Sequence, residues 1–169
     1  ELLNNLVDWG SMQMRGQGFE KEKVHMRTLV SNMFKSFEVM ASLKSNIMVN
    51  LVDEDLFIKS EINSMRFILR NLISNANKFT KEGVITVYAH KEDKEIMLSV
   101  SDTGVGMTEE VKAKLFDGEH YQSTTGTGDE KGSGLGLILT KDFIHMLGGS
   151  IKVESTIDKG TSVYLYFND

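Results

Sequence analysis

Residues 71–80, Asn-Leu-Ile-Ser-Asn-Ala-Asn-Lys-Phe-Thr, set three asparagines into an otherwise amphipathic helical pattern. Asparagine competes with helical hydrogen bonding through its own amide and favours caps and turns, so its presence here asks for a reason. At about 100° per residue, Met65, Leu69, Leu72, Ile73 and Ala76 share one face, and Asn71, Asn75 and Lys78 fall on the opposite one. One reading is a solvated polar face. The other is chemical. Asn71 and Asn75 present carbonyl oxygens one turn apart to a hard cation such as magnesium, and Lys78, a turn further on, carries charge for phosphate. Neutral amides suit that role, because carboxylates would repel a nucleotide triphosphate. The spacing alone leaves both readings open.

Two glycine-bearing stretches follow. Ser-Val-Ser-Asp-Thr-Gly-Val-Gly-Met, residues 99–107, places Asp102 at the end of a strand pattern directly before Gly104 and Gly106. A carboxylate there accepts a hydrogen from the exocyclic amino group of adenine, and the glycines let backbone approach the ring, although a plain turn after a strand reads the same way. Glu-Lys-Gly-Ser-Gly-Leu-Gly-Leu, residues 130–137, opens a helix. Gly132, Gly134 and Gly136 leave backbone N–H groups to face phosphate oxygens at its positive end. The stretch is not a P-loop, because no Lys-Ser or Lys-Thr pair follows, and it is not the turn after a first Rossmann strand.

These residues need elements to hold them. Residues 1–15 read as the tail of a helix, with Leu2, Leu3, Leu6, Val7 and Met14 at helical spacing before Gly16-Gln17-Gly18. Helices are expected over Val24 to Leu43, Glu61 to Phe79, Thr108 to Phe116 and Leu135 to Leu147. Strands are expected at 47–52, 57–59, 84–90, 96–100, 150–155 and 161–167, the third and fourth forming a hairpin around a charged turn, Lys91 to Glu95. The polar run 117–132 reads as a mobile loop. Strands gathered in the second half with helices between them imply an α/β sandwich whose helices cover one sheet face.

Composition narrows the function classes. The 169 residues suit one domain, and 24 acidic against 19 basic residues argue against a nucleic-acid groove or an anionic membrane surface. With no cysteine, disulfides and thiolate metal sites are excluded. No apolar run approaches the ~20 residues that cross a bilayer. The chain begins in mid-helix pattern without an initiator methionine, as a piece of a longer protein would.

In order, the chain carries Asn-x-x-x-Asn-Ala-x-Lys-Phe, Asp-Thr-Gly-Val-Gly-Met, Gly-Ser-Gly-Leu-Gly-Leu and Lys-Gly-Thr-Ser-Val. Over residues 24–169 this combination closely resembles the ATP-binding domain of sensor histidine kinases, within the GHKL ATPase superfamily. The resemblance implies an α+β fold: a two-layer α/β sandwich of the GHKL type, its mixed sheet covered on one face by helices, with residues 1–15 as the remnant of a dimerisation-hairpin helix. It implies ATP and magnesium as ligands. Asn75 is then the main magnesium ligand with Asn71 in support, Lys78 meets phosphate, Phe79 packs against the base and Asp102 reads adenine. Gly104 and Gly106 shape the base pocket, Gly132, Gly134 and Gly136 line the phosphates, and Leu135 and Leu137 anchor the helix behind them. Residues 117–132 become a lid with Ser123, Thr124 and Lys131 as phosphate contacts, and Thr161 completes the adenine end.

The pattern departs from the family in two places. After Phe116 the family often continues with an acidic residue, proline and phenylalanine, but here Asp117-Gly118-Glu119 follows and the chain has no proline. None of His25, His90, His120 and His145 is followed by the acidic residue that marks a phosphoacceptor. The acceptor is therefore expected on a hairpin outside this sequence. The partners implied are that dimerisation and phosphotransfer hairpin and a response regulator receiver domain, with no nucleic acid and no direct membrane contact, in the cytoplasm. Two rivals remain within the superfamily's reach: an ATP-hydrolysing clamp, which needs a glutamate base where this chain has Phe67, and a module that senses nucleotide without catalysis.

Overall fold

The computed structural model describes residues 21–116, 126–128 and 136–168. The expected helix over 1–15 and most of the expected lid, with Ser123, Thr124, Lys131, Gly132, Gly134 and Leu135, lie outside the described residues.

The chain runs β1 (Glu22–His25), α1 (Met26–Leu43), β2 (Ile47–Val52), β3 (Phe57–Ser60), α2 (Ile62–Phe79), β4 (Val84–Glu92), β5 (Glu95–Asp102), α3 (Glu109–Ala113), α4 (Gly136–Met146), β6 (Ser150–Thr156) and β7 (Gly160–Asn168). Five strands form a mixed sheet in the order β2-β4-β5-β7-β6, and β1 pairs with β3 in a separate two-stranded ribbon. Within the large sheet β2 runs parallel to β4 and every other pair is antiparallel. This is the two-layer α/β sandwich that the sequence resemblance implies, with α1, α2 and α4 packed on one sheet face.

Strand alternation fixes which face is buried. Val87, Val100 and Val163 lie side by side across β4, β5 and β7, as do Ala89, Leu98 and Leu165, and all six are buried. Burying an aliphatic side chain of this size stabilises by about 1.5–3 kcal/mol. Asp102 lies two residues beyond Val100, so it continues the same inner face at the end of β5, in register with Ile85 and Thr161. A carboxylate thus closes one end of an apolar ladder.

Several boundaries differ from the sequence expectation. Val24 and His25 belong to a strand rather than to the first helix, because Val24 pairs with Ile58 and is buried there. The hairpin turn is tighter than Lys91 to Glu95: Glu92 pairs with Glu95, and Asp93 turns the chain at φ 54°. The short helix spans only Glu109–Ala113, with the Thr108 hydroxyl accepting from Val111 N at 3.2 Å as its N-cap.

The largest correction concerns α2. Its apolar stripe is buried as expected, but the asparagine side is not simply wet, since Phe67, Ile68 and Asn71 are buried too. The reason is α4, which lies across that side and brings the Phe143 ring 4.7 Å from that of Phe67. The Glu61 carboxylate starts α2 by accepting from Asn63 N and Ser64 N.

Candidate nucleotide-binding site

The asparagine helix meets the start of α4. A methyl group built on Gly136 would lie 3.6 Å from Asn71 Oδ1 and 3.8 Å from Asn75 Nδ2, so both amides stand directly against the first residue of α4. Asn71 is 8% exposed and its Nδ2 has no hydrogen-bond partner among the described residues, whereas Asn75 is half-buried. An unpaired buried amide nitrogen costs about 1–3 kcal/mol unless a ligand or water satisfies it. Helix N-termini carry free N–H groups and partial positive charge, which places a field suited to anions beside the two amides. Leu137 and Leu139 then pack α4 onto the core, and Thr140 Oγ1 donates back to Gly136 O at 2.8 Å.

The other end of the site is built on Asp102. Its Oδ1 accepts from Gly104 N at 2.9 Å and from Thr161 N at 3.3 Å. Burial, the largest influence, raises its pKa above the usual carboxylate value, and these two backbone donors oppose the rise. The wholly buried Thr80 hydroxyl has no hydrogen-bond partner among the described residues. Thr161 in turn shares a hydroxyl contact of 2.9 Å with Ser155.

Close backbone approach requires two of the glycines. A methyl group on Gly104 would sit 2.2 Å from Phe79 O, and the same carbonyl accepts from Val105 N at 3.1 Å. Gly106 has φ 65°, and a methyl there would meet Thr156 O at 1.9 Å. The Asp-Thr-Gly-Val-Gly turn is therefore pressed against the C-terminal end of α2 on one side and the β6–β7 turn on the other. Lys78 and Phe79 occupy that same helix end, both half-buried, with Lys78 Nζ 4.6 Å from the centre of the Phe79 ring. The structure thus gathers Asn71, Asn75 and Gly136 at one place, and Phe79, Asp102, Gly104 and Thr161 at another. Lys78 stands on the helix turn between them.

Four supporting residues escape the sequence patterns. Asn46, in the turn after α1, donates to Asn77 Oδ1 at 3.0 Å and Thr80 O at 2.9 Å, and accepts from Gly83 N at 3.2 Å. Lys44 Nζ donates to Asn77 O at 2.9 Å and Lys78 O at 2.7 Å, a cation at the negative end of α2. From the far side Thr127, within the expected lid, donates its N–H to Lys78 O at 3.0 Å and its hydroxyl at 3.1 Å. Only Asn77 carried a local signal, as the third asparagine of the helix. The others come from distant parts of the chain.

Comparison with known proteins bears on the same region. Residues 60–169, which include every motif above, match a family described as histidine kinase-, DNA gyrase B-, and HSP90-like ATPase. The sensor protein GacS of Pseudomonas syringae pv. syringae is 29% identical over 171 residues, covering 97% of this chain. The chain spans only 19% of that protein's length. The catalytic domain of histidine kinase ThkA shares the fold with a TM-score of 0.75 at 24% identity, over 88% of this chain and 95% of that one. ThkA in complex with the response regulator protein TrrA aligns at a TM-score of 0.74 and 19% identity, over 99% of this chain and 48% of that one.

Proposed function

The chain belongs to the histidine kinase-, DNA gyrase B- and HSP90-like ATPase family, and from that premise we propose that it is the ATP-binding catalytic domain of a sensor histidine kinase. The reaction is transfer of the ATP γ-phosphoryl group to a histidine on a dimerisation hairpin, from which a response regulator receiver domain takes it. ThkA's complex with TrrA supports the second partner. The parent protein acts on the cytoplasmic side, where ATP is supplied, and no helix among the described residues is long and apolar enough to cross a membrane.

The observation that carries this reading is the contact of Asn71 and Asn75 with Gly136. It sets neutral amide donors beside a helix N-terminus, an arrangement suited to a triphosphate and its cation. Asn75, with Asn71 in support, would hold magnesium, since hard cations take oxygen ligands and complete their shell with phosphate and water. The unpartnered nitrogen of Asn71 gains an acceptor when phosphate is near. Bound magnesium neutralises charge on the phosphates.

The chain's own residues bind and orient. Lys78 offers a positive charge to phosphate, the α4 N-terminus with Gly132, Gly134 and Gly136 cradles the phosphate oxygens, and Ser123, Thr124 and Lys131 close over them from the lid. Phe79 packs on the base. Asp102 accepts from its amino group, with Gly104, Gly106 and Thr161 shaping the pocket around it. Transfer then depends on positioning and charge neutralisation.

Phe67 favours the kinase over a hydrolytic clamp. It lies one turn before Asn71 and is buried against Phe143, so this turn of α2 carries no carboxylate to activate water. Within the chain, His25 is already engaged at both ring nitrogens, with Thr28 Oγ1 and Glu54 O. Incubation with γ-labelled ATP, magnesium and the parent's histidine hairpin tests the proposal. Acid-labile label is expected on the hairpin and not on this chain, and Asn75→Ala should abolish transfer without lowering the melting temperature. Phosphate release without transfer would identify a clamp, and ATP binding without either a sensing module.

A further inference from the structure

We infer that Thr127 is a positioning residue for phosphate binding, its hydroxyl and backbone N–H clasping residues 126–128 onto the end of α2 that carries Lys78. The inference deepens the nucleotide-site reading above and rests on it.

The last carbonyls of a helix have no partner within it, and those of α2 are met by distant parts of the chain. Lys44 Nζ donates to Asn77 O at 2.9 Å, Val105 N to Phe79 O at 3.1 Å and Asn46 Nδ2 to Thr80 O at 2.9 Å. Lys78 O is engaged more heavily. It accepts from Lys44 Nζ at 2.7 Å, from Thr127 N at 3.0 Å and from Thr127 Oγ1 at 3.1 Å. A carbonyl oxygen has two lone pairs, so Lys44 and one group of Thr127 already satisfy it. The second donation from Thr127 therefore adds orientation more than capping. Two donors of one residue on one oxygen fix how that residue faces the helix as well as how far from it the residue stands.

The same hydroxyl lies 3.4 Å from Thr80 O. Lys78 and Thr80 flank Phe79, so a single side chain spans that residue and restrains the peptide groups on both sides of it. Lys78 Nζ stands 4.6 Å from the centre of the Phe79 ring on this stretch. A lysine ammonium rides on a long, flexible stem, so the place it reaches depends on the backbone beneath it. Thr127 sits half-buried against that backbone, 49 residues further along the chain. Its neighbours Gly126 and Gly128 have no side chains to pack, so the hold on this piece of chain falls on hydrogen bonds. Without the hydroxyl the segment stays tethered through its N–H but can pivot about it, and the restraint across Phe79 is lost. The base end of the site keeps its own support, Gly104 N and Thr161 N on Asp102 and Val105 N on Phe79 O.

Calorimetric titration with Mg-ATP, and NMR titration with adenosine, which carries no phosphate, test this on the wild-type chain, Thr127→Val and Thr127→Ser. In Thr127→Val, Mg-ATP affinity should fall about fivefold, or about 1 kcal/mol, while adenosine affinity changes by less than about twofold. Thr127→Ser should restore Mg-ATP affinity. In a Lys78→Met background Thr127→Val should cost nothing further, because the backbone bond remains but no ammonium is left to be placed. Wild-type Mg-ATP affinity in Thr127→Val, an equal loss for adenosine, no recovery in Thr127→Ser, or the same loss in the Lys78→Met background would each overturn the inference. A wild-type chain that binds no ATP would instead defeat the nucleotide-site reading itself. If Thr127→Val does not fold, Thr127→Ala against Thr127→Ser makes the same comparison, since that pair differs by the hydroxyl alone.

Discussion

A methyl group at Gly104 would lie 2.2 Å from Phe79 O and 2.7 Å from Thr80 Oγ1. Carbon and oxygen atoms do not normally approach closer than about 3.3 Å, so in Gly104→Ala the turn must retreat from the end of α2 by about 1 Å. Overpacking of this kind costs about 1–3 kcal/mol. Retreat also stretches the 3.1 Å bond from Val105 N to Phe79 O and the 2.9 Å bond from Gly104 N to Asp102 Oδ1. Each is worth about 0.5–3 kcal/mol, the larger figure applying to the carboxylate. The clash is relieved at the expense of the bonds, so the two costs overlap, and a total of about 2–3 kcal/mol is expected. For a chain of 169 residues this lowers the melting temperature by about 5–10 °C. Because the displaced turn carries the base pocket, ATP affinity should fall about 30- to 150-fold as well. Gly148→Ala is the control. Gly148 has φ 73° with nothing within 4 Å of the added methyl, so it bears only backbone strain of about 1–2 kcal/mol. It should melt lower and bind ATP normally. Calorimetric titration and thermal melts of both variants read the two effects separately. If Gly104→Ala bound ATP as tightly as Gly148→Ala does, the turn would not be the wall of the base site.

Asp102→Asn should separate stability from binding. A carboxyl whose pKa is raised on folding contributes stability that is present below its unfolded value and lost as pH rises through its folded value. At pH 7 the amide escapes that burial cost and keeps an oxygen acceptor, so urea midpoints should equal or exceed wild type while ATP affinity drops. Near pH 3 the stability advantage should vanish, and a variant less stable at pH 7 would contradict the assigned cause of the shift. Asn46→Ala removes three hydrogen bonds around the end of α2 and should destabilise by about 2–4 kcal/mol in urea unfolding. Its ATP affinity should fall too, through displacement of Lys78 and Phe79, and a loss under 1 kcal/mol would show that the network does not hold this helix end.

Much of this protein is written locally. The 3.6-residue stripe of Met65, Leu69, Leu72, Ile73 and Ala76 specifies a helix with a core face, and the alternation in 84–90 and 96–100 specifies strands, because each periodicity acts on neighbouring residues only. The order of the four motifs carried the family and the sandwich fold. What lay beyond reach was which element covers which face. Nothing near Asn71 in the chain states that α4, 65 residues further on, will bury it, or that β2 will run parallel to β4 instead of pairing with β3. Val24 likewise reads as helical until Ile58, 34 residues later, supplies a strand partner. The same holds at the site's base. Asp102 is recognisable as an acceptor by its place before two glycines, but its burial and its donor Thr161 exist only once β7 closes around it. Side-chain chemistry and period are properties of short stretches of chain. Burial, and with it the protonation of Asp102 and the unpaired amide of Asn71, is a property of packing between segments far apart in sequence.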